Sequence, residues 1–143
     1  MSDLYDADIL AWSERQGDLL RRIAAGERVA DADLDWPNIA EEIEDVGRSE
    51  LHAVESLLVQ GLLHDLKAKV WPLVRDAPHW RAEARRFRGD AASRVTPSMR
   101  RGIDLAGLYR RALRAMLETL DDRPPLPVPS GCPLTLDELL AEE

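Results

Sequence analysis

Between Asp35 and Lys69 the apolar residues recur at a spacing that only a helix turns into a continuous face. On a wheel of about 100° per residue with Ile39 at zero, Ile43, Val46, Val54, Leu57 and Gly61 all lie within about 60° of it. A strand would divide the same residues between two faces. The stripe predicts one long helix that opens at Asp35-Trp36-Pro37, proline being tolerated in a first turn, and runs to about Lys69. Gly47 lies inside it, but an interior glycine costs only about 1 kcal/mol relative to alanine, so the helix is expected to continue through. Such a helix must bury its stripe against other helices.

The partners are legible in the same way. Ile9, Trp12, Gln16, Leu19, Leu20 and Ile23 keep a three-and-four rhythm, with Asp6 or Asp8 to cap the start and Gly26 to end it. Residues 27–34 show no clear periodicity. After Trp71-Pro72 and Asp76-Ala77-Pro78, a third face follows in Trp80, Ala84, Phe87 and Ala91. Thr96-Pro97 opens a fourth helix lined by Ile103, Ala106, Leu113, Met116, Leu117 and Leu120, with Tyr109 at its edge. Five prolines between Arg123 and Pro133 favour an extended strap. Thr135 and Glu138 have the spacing of a capping box for a short helix over 136–141. No segment shows strand alternation, so no sheet is predicted. The expected fold is all-α: one domain over residues 1–143, a single compact bundle of four main helices, with a strap at 123–135 and a short terminal helix.

Charge divides the chain unevenly. Residues 1–70 carry 16 acidic and 7 basic groups, 71–123 carry 7 and 12, and 124–143 carry 4 and none, which accounts for the net −8. Acidic and basic thirds of opposite sign are expected to face one another within the fold. No run approaches the roughly 20 apolar residues of a membrane span. The acidic start lacks the positive charge and apolar block of a signal peptide, and the single Cys132 cannot form an internal disulfide. A soluble cytoplasmic protein that does not engage a membrane is expected.

Candidate chemistry is sparse. Glu41, Glu44 and Asp45 lie opposite the apolar stripe and read as a solvated face, while Glu42 sits on its boundary. Glu50 and His64 fall within the stripe and are expected to point inward. A carboxylate there requires a cation, for which Arg85 and Arg86 are the best placed candidates. Lys67, one turn beyond His64, completes a candidate polar pocket of Glu42, Glu50, His64, Lys67, Arg85 and Arg86. Asp65 and Lys69 have the spacing of a surface ion pair. Ser49, Gly61 and Asp76 stand three residues before His52, His64 and His79, so the Glu-x-x-His pairs of a di-iron bundle are missing. No phosphate loop, nucleophile elbow or zinc motif occurs. No catalytic residue, metal or cofactor is assigned.

Several segments resemble a bacterial family, the domain of unknown function twenty-nine. They are Tyr5-Asp6-x-Asp8-x-x-x-Trp12, the block from Asp35 and Asn38 through Ile39-Ala40-Glu41-Glu42-Ile43-Glu44-Asp45-Val46-Gly47-Arg48-Ser49-Glu50, His64-Asp65-Leu66-Lys67, Pro97-Ser98, and Cys132-Pro133-Leu134-Thr135-Leu136. The chain departs from the family pattern at Asp65, usually apolar, at His79, usually serine, and at Leu134, usually tyrosine. The resemblance implies a compact helical domain and no activity. The leading functional expectation is a non-enzymatic interaction protein that binds another protein through the acidic outer face of the long helix or through the strap and terminal helix. A small-ligand binder or enzyme built on the Glu50, His64 and Lys67 pocket is the alternative. Nucleic-acid binding through the arginines of segment 81–114 is disfavoured by a pI near 4.9. Self-association is left open.

Overall fold

In the computed structural model, which describes residues 2–116 and 124–141, the chain forms α1 (Ser2–Ala7), α2 (Ile9–Ala24), a 3-10 turn (Asp31–Asp33), α3 (Trp36–Val70), α4 (Ala77–Arg94), α5 (Pro97–Gly102), α6 (Leu105–Ala115) and α7 (Leu136–Leu140). No strand occurs among the described residues, and the fold is all-α, with α2, α3, α4 and α6 as its main helices. The long helix is uninterrupted over 35 residues, Gly47 included. None of the helices is long and apolar enough to cross a membrane. The chain divides into two compact units, Met1–Ser49 and Glu50–Glu143, with the boundary inside α3.

In the first unit, Asp8 caps α2 by accepting the Ala11 N–H at 3.0 Å. The helix ends at Gly26, whose φ of 86° suits a residue without a Cβ. There the Gly26 N–H reaches the Ile23 carbonyl and the Glu27 N–H the Arg22 carbonyl, which satisfies two of the last turn's free acceptors. The short α1 escaped the sequence reading because six residues are too few to reveal a period. Trp12, Leu19, Leu34 and Ile39 form the core, with Tyr5 edge-on to Trp12 at 4.9 Å.

Gln16, in the middle of the apolar face of α2, is buried and ties the loop that leads into α3. Its amide donates to the Asp33 carbonyl at 3.2 Å and accepts the Asp35 N–H at 3.0 Å. Asp35 accepts from Asn38 at 2.8 Å and from the Trp12 indole at 2.9 Å. These hydrogen bonds, that from Asn38 first, hold the Asp35 carboxyl below the usual range.

In the second unit, Val54, Leu58, Val59, Leu62, Leu63 and Leu66 of α3 pack with Ala91, Leu108, Tyr109, Ala112, Leu139 and Leu140. The expected third face is met by α4, where Ala84 and Ala91 are fully buried and Trp80 and Phe87 partly so. The expected single fourth helix is instead two, α5 and α6, broken at Ile103 and Asp104, which are both extended. Gly102 and Asp104 are poor interior helix residues and flank the break. Leu117, Leu120 and Arg123, placed by the sequence on this helix and at the start of the strap, lie outside the described residues. The capping box forms as the spacing predicts: Thr135 Oγ1 accepts the Glu138 N–H and Glu138 Oε1 accepts the Thr135 N–H, each at 3.2 Å.

The apolar stripe of α3 departs from expectation in its middle. Ile43 and Val46 are 67% and 69% exposed, and Glu50 is exposed as well, so the stripe does not serve as a buried face over this stretch. Burial resumes at Val54.

Gln16→Ala removes two hydrogen bonds to backbone groups of the loop. It is expected to lower the unfolding free energy by about 2 kcal/mol, twice the net worth of a typical hydrogen bond. Urea denaturation followed by tryptophan fluorescence checks this, and a loss below about 0.5 kcal/mol would show that water replaces the amide.

Candidate functional site

The segment Pro78 to Arg88 places Arg81, Arg85 and Arg88 four and then three residues apart, so all three fall on one side of α4, beside the buried Ala84 and Ala91 face. With Asp65 of α3 and Pro78 they line an open cleft of about 370 Å³. Arg88 forms its inner wall. Its Nε donates to the Leu139 carbonyl at 3.1 Å, one Nη to the Glu138 carbonyl at 3.1 Å, and the other Nη to Asp65 at 3.3 Å. The two carbonyls belong to the last turn of α7, where helical partners run out, so a guanidinium is a fitting cap.

That position depends on Gly61. A Cβ there would stand 2.9 Å from the Arg88 Cγ, an atom near the root of the side chain with little freedom to move aside. The sequence placed Gly61 on the stripe of α3, and its role is to let the Arg88 stem lie directly against the helix.

The six candidate pocket residues have the following neighbours among the described residues. Glu42 accepts a 2.5 Å hydrogen bond from the Tyr5 hydroxyl, which together with burial holds the Tyr5 pKa up at about 12. Glu50 does not point inward as its place on the stripe implied, and its partner is neither Arg85 nor Arg86. It is exposed and pairs with Arg94 at 3.3 Å. His64 is half-buried, with Nδ1 2.7 Å from the Gln60 carbonyl and its ring 5.3 Å from that of Phe87. Lys67 lies over the Trp80 ring at 5.4 Å. Arg86 pairs with Glu83 at 2.5 Å, holding that carboxyl low, and lies over Phe87. Arg85 alone of the six lines the cleft. Asp65, expected to meet Lys69 on the surface, reaches across to Arg88 of α4.

The acidic outer face of α3 shares one guanidinium among three carboxylates. Arg48 meets Glu41 at 2.7 Å, Asp45 at 2.6 Å and Glu44 at 3.5 Å. Among the described residues no group of three or more His, Cys, Asp or Glu side chains is arranged to hold a metal ion.

A second concavity lies where α3 ends. Val70, Trp71, Pro72, Leu73 and Val74 face Pro124 and Leu126 of the strap across an apolar groove of about 180 Å³. The Leu126 N–H donates to the Val70 carbonyl at 3.0 Å, fixing the strap as one wall. Leu73 is 87% exposed and Leu126 53%. The strap is legible in the sequence but this groove is not, because its two walls are some fifty residues apart in the chain. The four-and-three spacing of Arg81, Arg85 and Arg88 is the sequence signal that separates them from the other arginines.

Two glycines of α3 therefore behave oppositely on substitution. A Cβ at Gly47 would meet nothing within 4 Å, so Gly47→Ala is expected to stabilise by about 1 kcal/mol through helix propensity alone. Gly61→Ala gains the same propensity but forces Arg88 from its place, and overpacking of about 1–3 kcal/mol makes it net destabilising. Thermal and urea unfolding of the two variants provide the check, and a stabilised Gly61→Ala would contradict the fixed Arg88 stem.

Residues 4–143 match the family described as a domain of unknown function, DUF29. The chain is also similar to a solved structure, an alpha-helical protein of unknown function from Rhodospirillum rubrum ATCC 11170. The two are 34% identical with a TM-score of 0.69, and the match covers 97% of this chain and 90% of that one. No curated protein matches. With nearly the whole chain matched by the family and an all-helical fold shared with a relative of this identity, the chain belongs to the DUF29 family, a domain of unknown function.

Proposed function

We propose that this chain is a non-enzymatic cytoplasmic protein that binds another protein, with the groove between the end of α3 and the strap as its docking surface. The observation that carries this reading is Leu73, a large apolar side chain left 87% exposed at the rim of an apolar concavity. Scattered exposed apolar residues are ordinary, but an exposed leucine beside a preformed groove supplies both a knob and a hole for a partner. Burying one leucine is worth about 1.5–3 kcal/mol, enough to act as an anchor. The single Cys132, with no internal disulfide to make, supports the cytoplasmic assignment.

Two other surfaces are less suited. The acidic face of α3 already engages Arg48 through Glu41, Glu44 and Asp45, so a basic partner would compete with a guanidinium already in place. Glu50, His64 and Lys67 each have a separate neighbour, which favours structural roles over a shared polar pocket.

A photo-crosslinking residue in place of Leu73, introduced in cells, is expected to trap one predominant protein. With that protein purified, Leu73→Asp is expected to weaken binding at least tenfold while leaving the thermal midpoint within about 2 °C, because an exposed side chain contributes little to folding. No adduct above background would refute the docking role. An adduct of twice the chain's own mass would assign the groove to self-association instead.

A further inference from the structure

The geometry points to a binding site for a phosphorylated small molecule in the arginine cleft, with Arg81 and Arg85 holding a diphosphate-like group and Arg88 supplying a fixed third positive charge. This site is separate from the groove at Leu73 and does not rest on it.

Charge in the cleft is unbalanced. Among the described residues three guanidinium groups and one carboxylate line it, in a chain whose net charge is −8. Most other arginines of known contact are answered by acids: Arg48 by Glu41, Glu44 and Asp45, Arg86 by Glu83, Arg94 by Glu50, and Arg100 by Asp137. Arg81 and Arg85 are exposed and make no hydrogen bond or ion pair among the described residues. Like charges four residues apart on a helix repel, so this pair persists at a cost that a bound anion would remove.

Order within the cleft favours a ligand over plain surface charge. Arg88 has only 18% of its side chain exposed and is held by two carbonyls and Asp65, with Gly61 beneath its stem. A wall arranged in advance spares a ligand the entropy of ordering it. The guanidinium is planar and presents paired donors that match the oxygens of phosphate bidentately.

The size and charge of the cleft define the ligand class. From Arg81 to Arg85 the pair spans about 6 Å at 1.5 Å per residue, which suits two adjacent phosphoryl groups better than one. A volume of about 370 Å³ admits a small molecule. Asp65 stands at the Arg88 end, so the negative group belongs at Arg81 and Arg85 and the uncharged remainder toward Asp65. A long polyanion such as nucleic acid fits poorly, because the chain as a whole is acidic.

Isothermal titration of the full chain with inorganic pyrophosphate, with monophosphate, and with sodium chloride at matched ionic strength tests the assignment. Pyrophosphate is expected to bind at least tenfold tighter than monophosphate, and chloride to give no saturable heat. Arg81→Gln with Arg85→Gln is expected to weaken pyrophosphate binding at least tenfold, whereas Arg86→Gln, outside the cleft, leaves it unchanged. On the unaltered protein, pyrophosphate is expected to protect Arg81 and Arg85 from phenylglyoxal, read by peptide mass spectrometry, so the test does not depend on the variants folding. Equal binding by the double variant, absence of protection, or heat that vanishes at matched ionic strength would overturn the site. Binding of duplex DNA but not pyrophosphate would overturn it in favour of a nucleic-acid surface.

Discussion

Arg88 is the interaction on which the second unit is organised. A largely buried guanidinium is destabilising unless its donors are met, and here they are met by elements far apart in sequence: Asp65 on α3 and the final carbonyls of α7. One side chain on α4 therefore fixes the position of two other helices. It does so only because Gly61 leaves room for its stem, and Ala84 and Ala91, fully buried, let α4 lie close to its neighbours. The cleft follows from the same arrangement, since Arg81 and Arg85 sit on the side of α4 that Arg88 turns toward α7.

The local parts of this architecture were legible in the residues. Helical period identified α2, α3 and α4, and the caps at Asp8, Thr96 and Thr135 form with the partners that their spacing predicts. What periodicity describes is a face, however, and not what covers it. Ile43, Val46 and Glu50 share the stripe of Val54 and Leu57, yet they are exposed, because burial depends on neighbours that the wheel does not contain. The same limit explains Glu50. An inward carboxylate does need a cation, but this one is on the surface and its partner is Arg94. The break at Ile103 was missed because its apolar spacing continues across Gly102 and Asp104, two residues that individually weaken a helix without forbidding it.

In the first unit the residues that carry the family resemblance are largely one another's partners. Tyr5 donates to Glu42, Trp12 and Asn38 donate to Asp35, and Asp8 caps the helix that bears Trp12. In the second unit they meet residues outside those segments: His64 meets Phe87 and Lys67 lies over Trp80, while Leu66 is buried in the core. Such a pattern specifies how segments join. In this chain those polar residues are occupied in holding helices to loops and to each other.

The strap shows how an unstructured composition acquires a definite place. A proline-rich segment makes no regular ladder of its own and cannot donate at each proline, so its position must come from elsewhere. Two hydrogen bonds provide it: Leu126 N–H to the Val70 carbonyl, and the Tyr109 hydroxyl to the Pro129 carbonyl at 2.6 Å. Tyr109 is buried among the core leucines, and that burial raises its pKa, so it remains a neutral donor over the whole physiological range. The prolines contribute in a second way, by restricting the unfolded chain and so lowering the entropy lost when the strap is pinned. Stiff chain between two fixed points makes a wall, and a wall beside the end of α3 makes the groove at Leu73. Composition alone predicts the stiffness; the groove exists because a tyrosine on α6 and a carbonyl at the end of α3 hold that stiff segment in place.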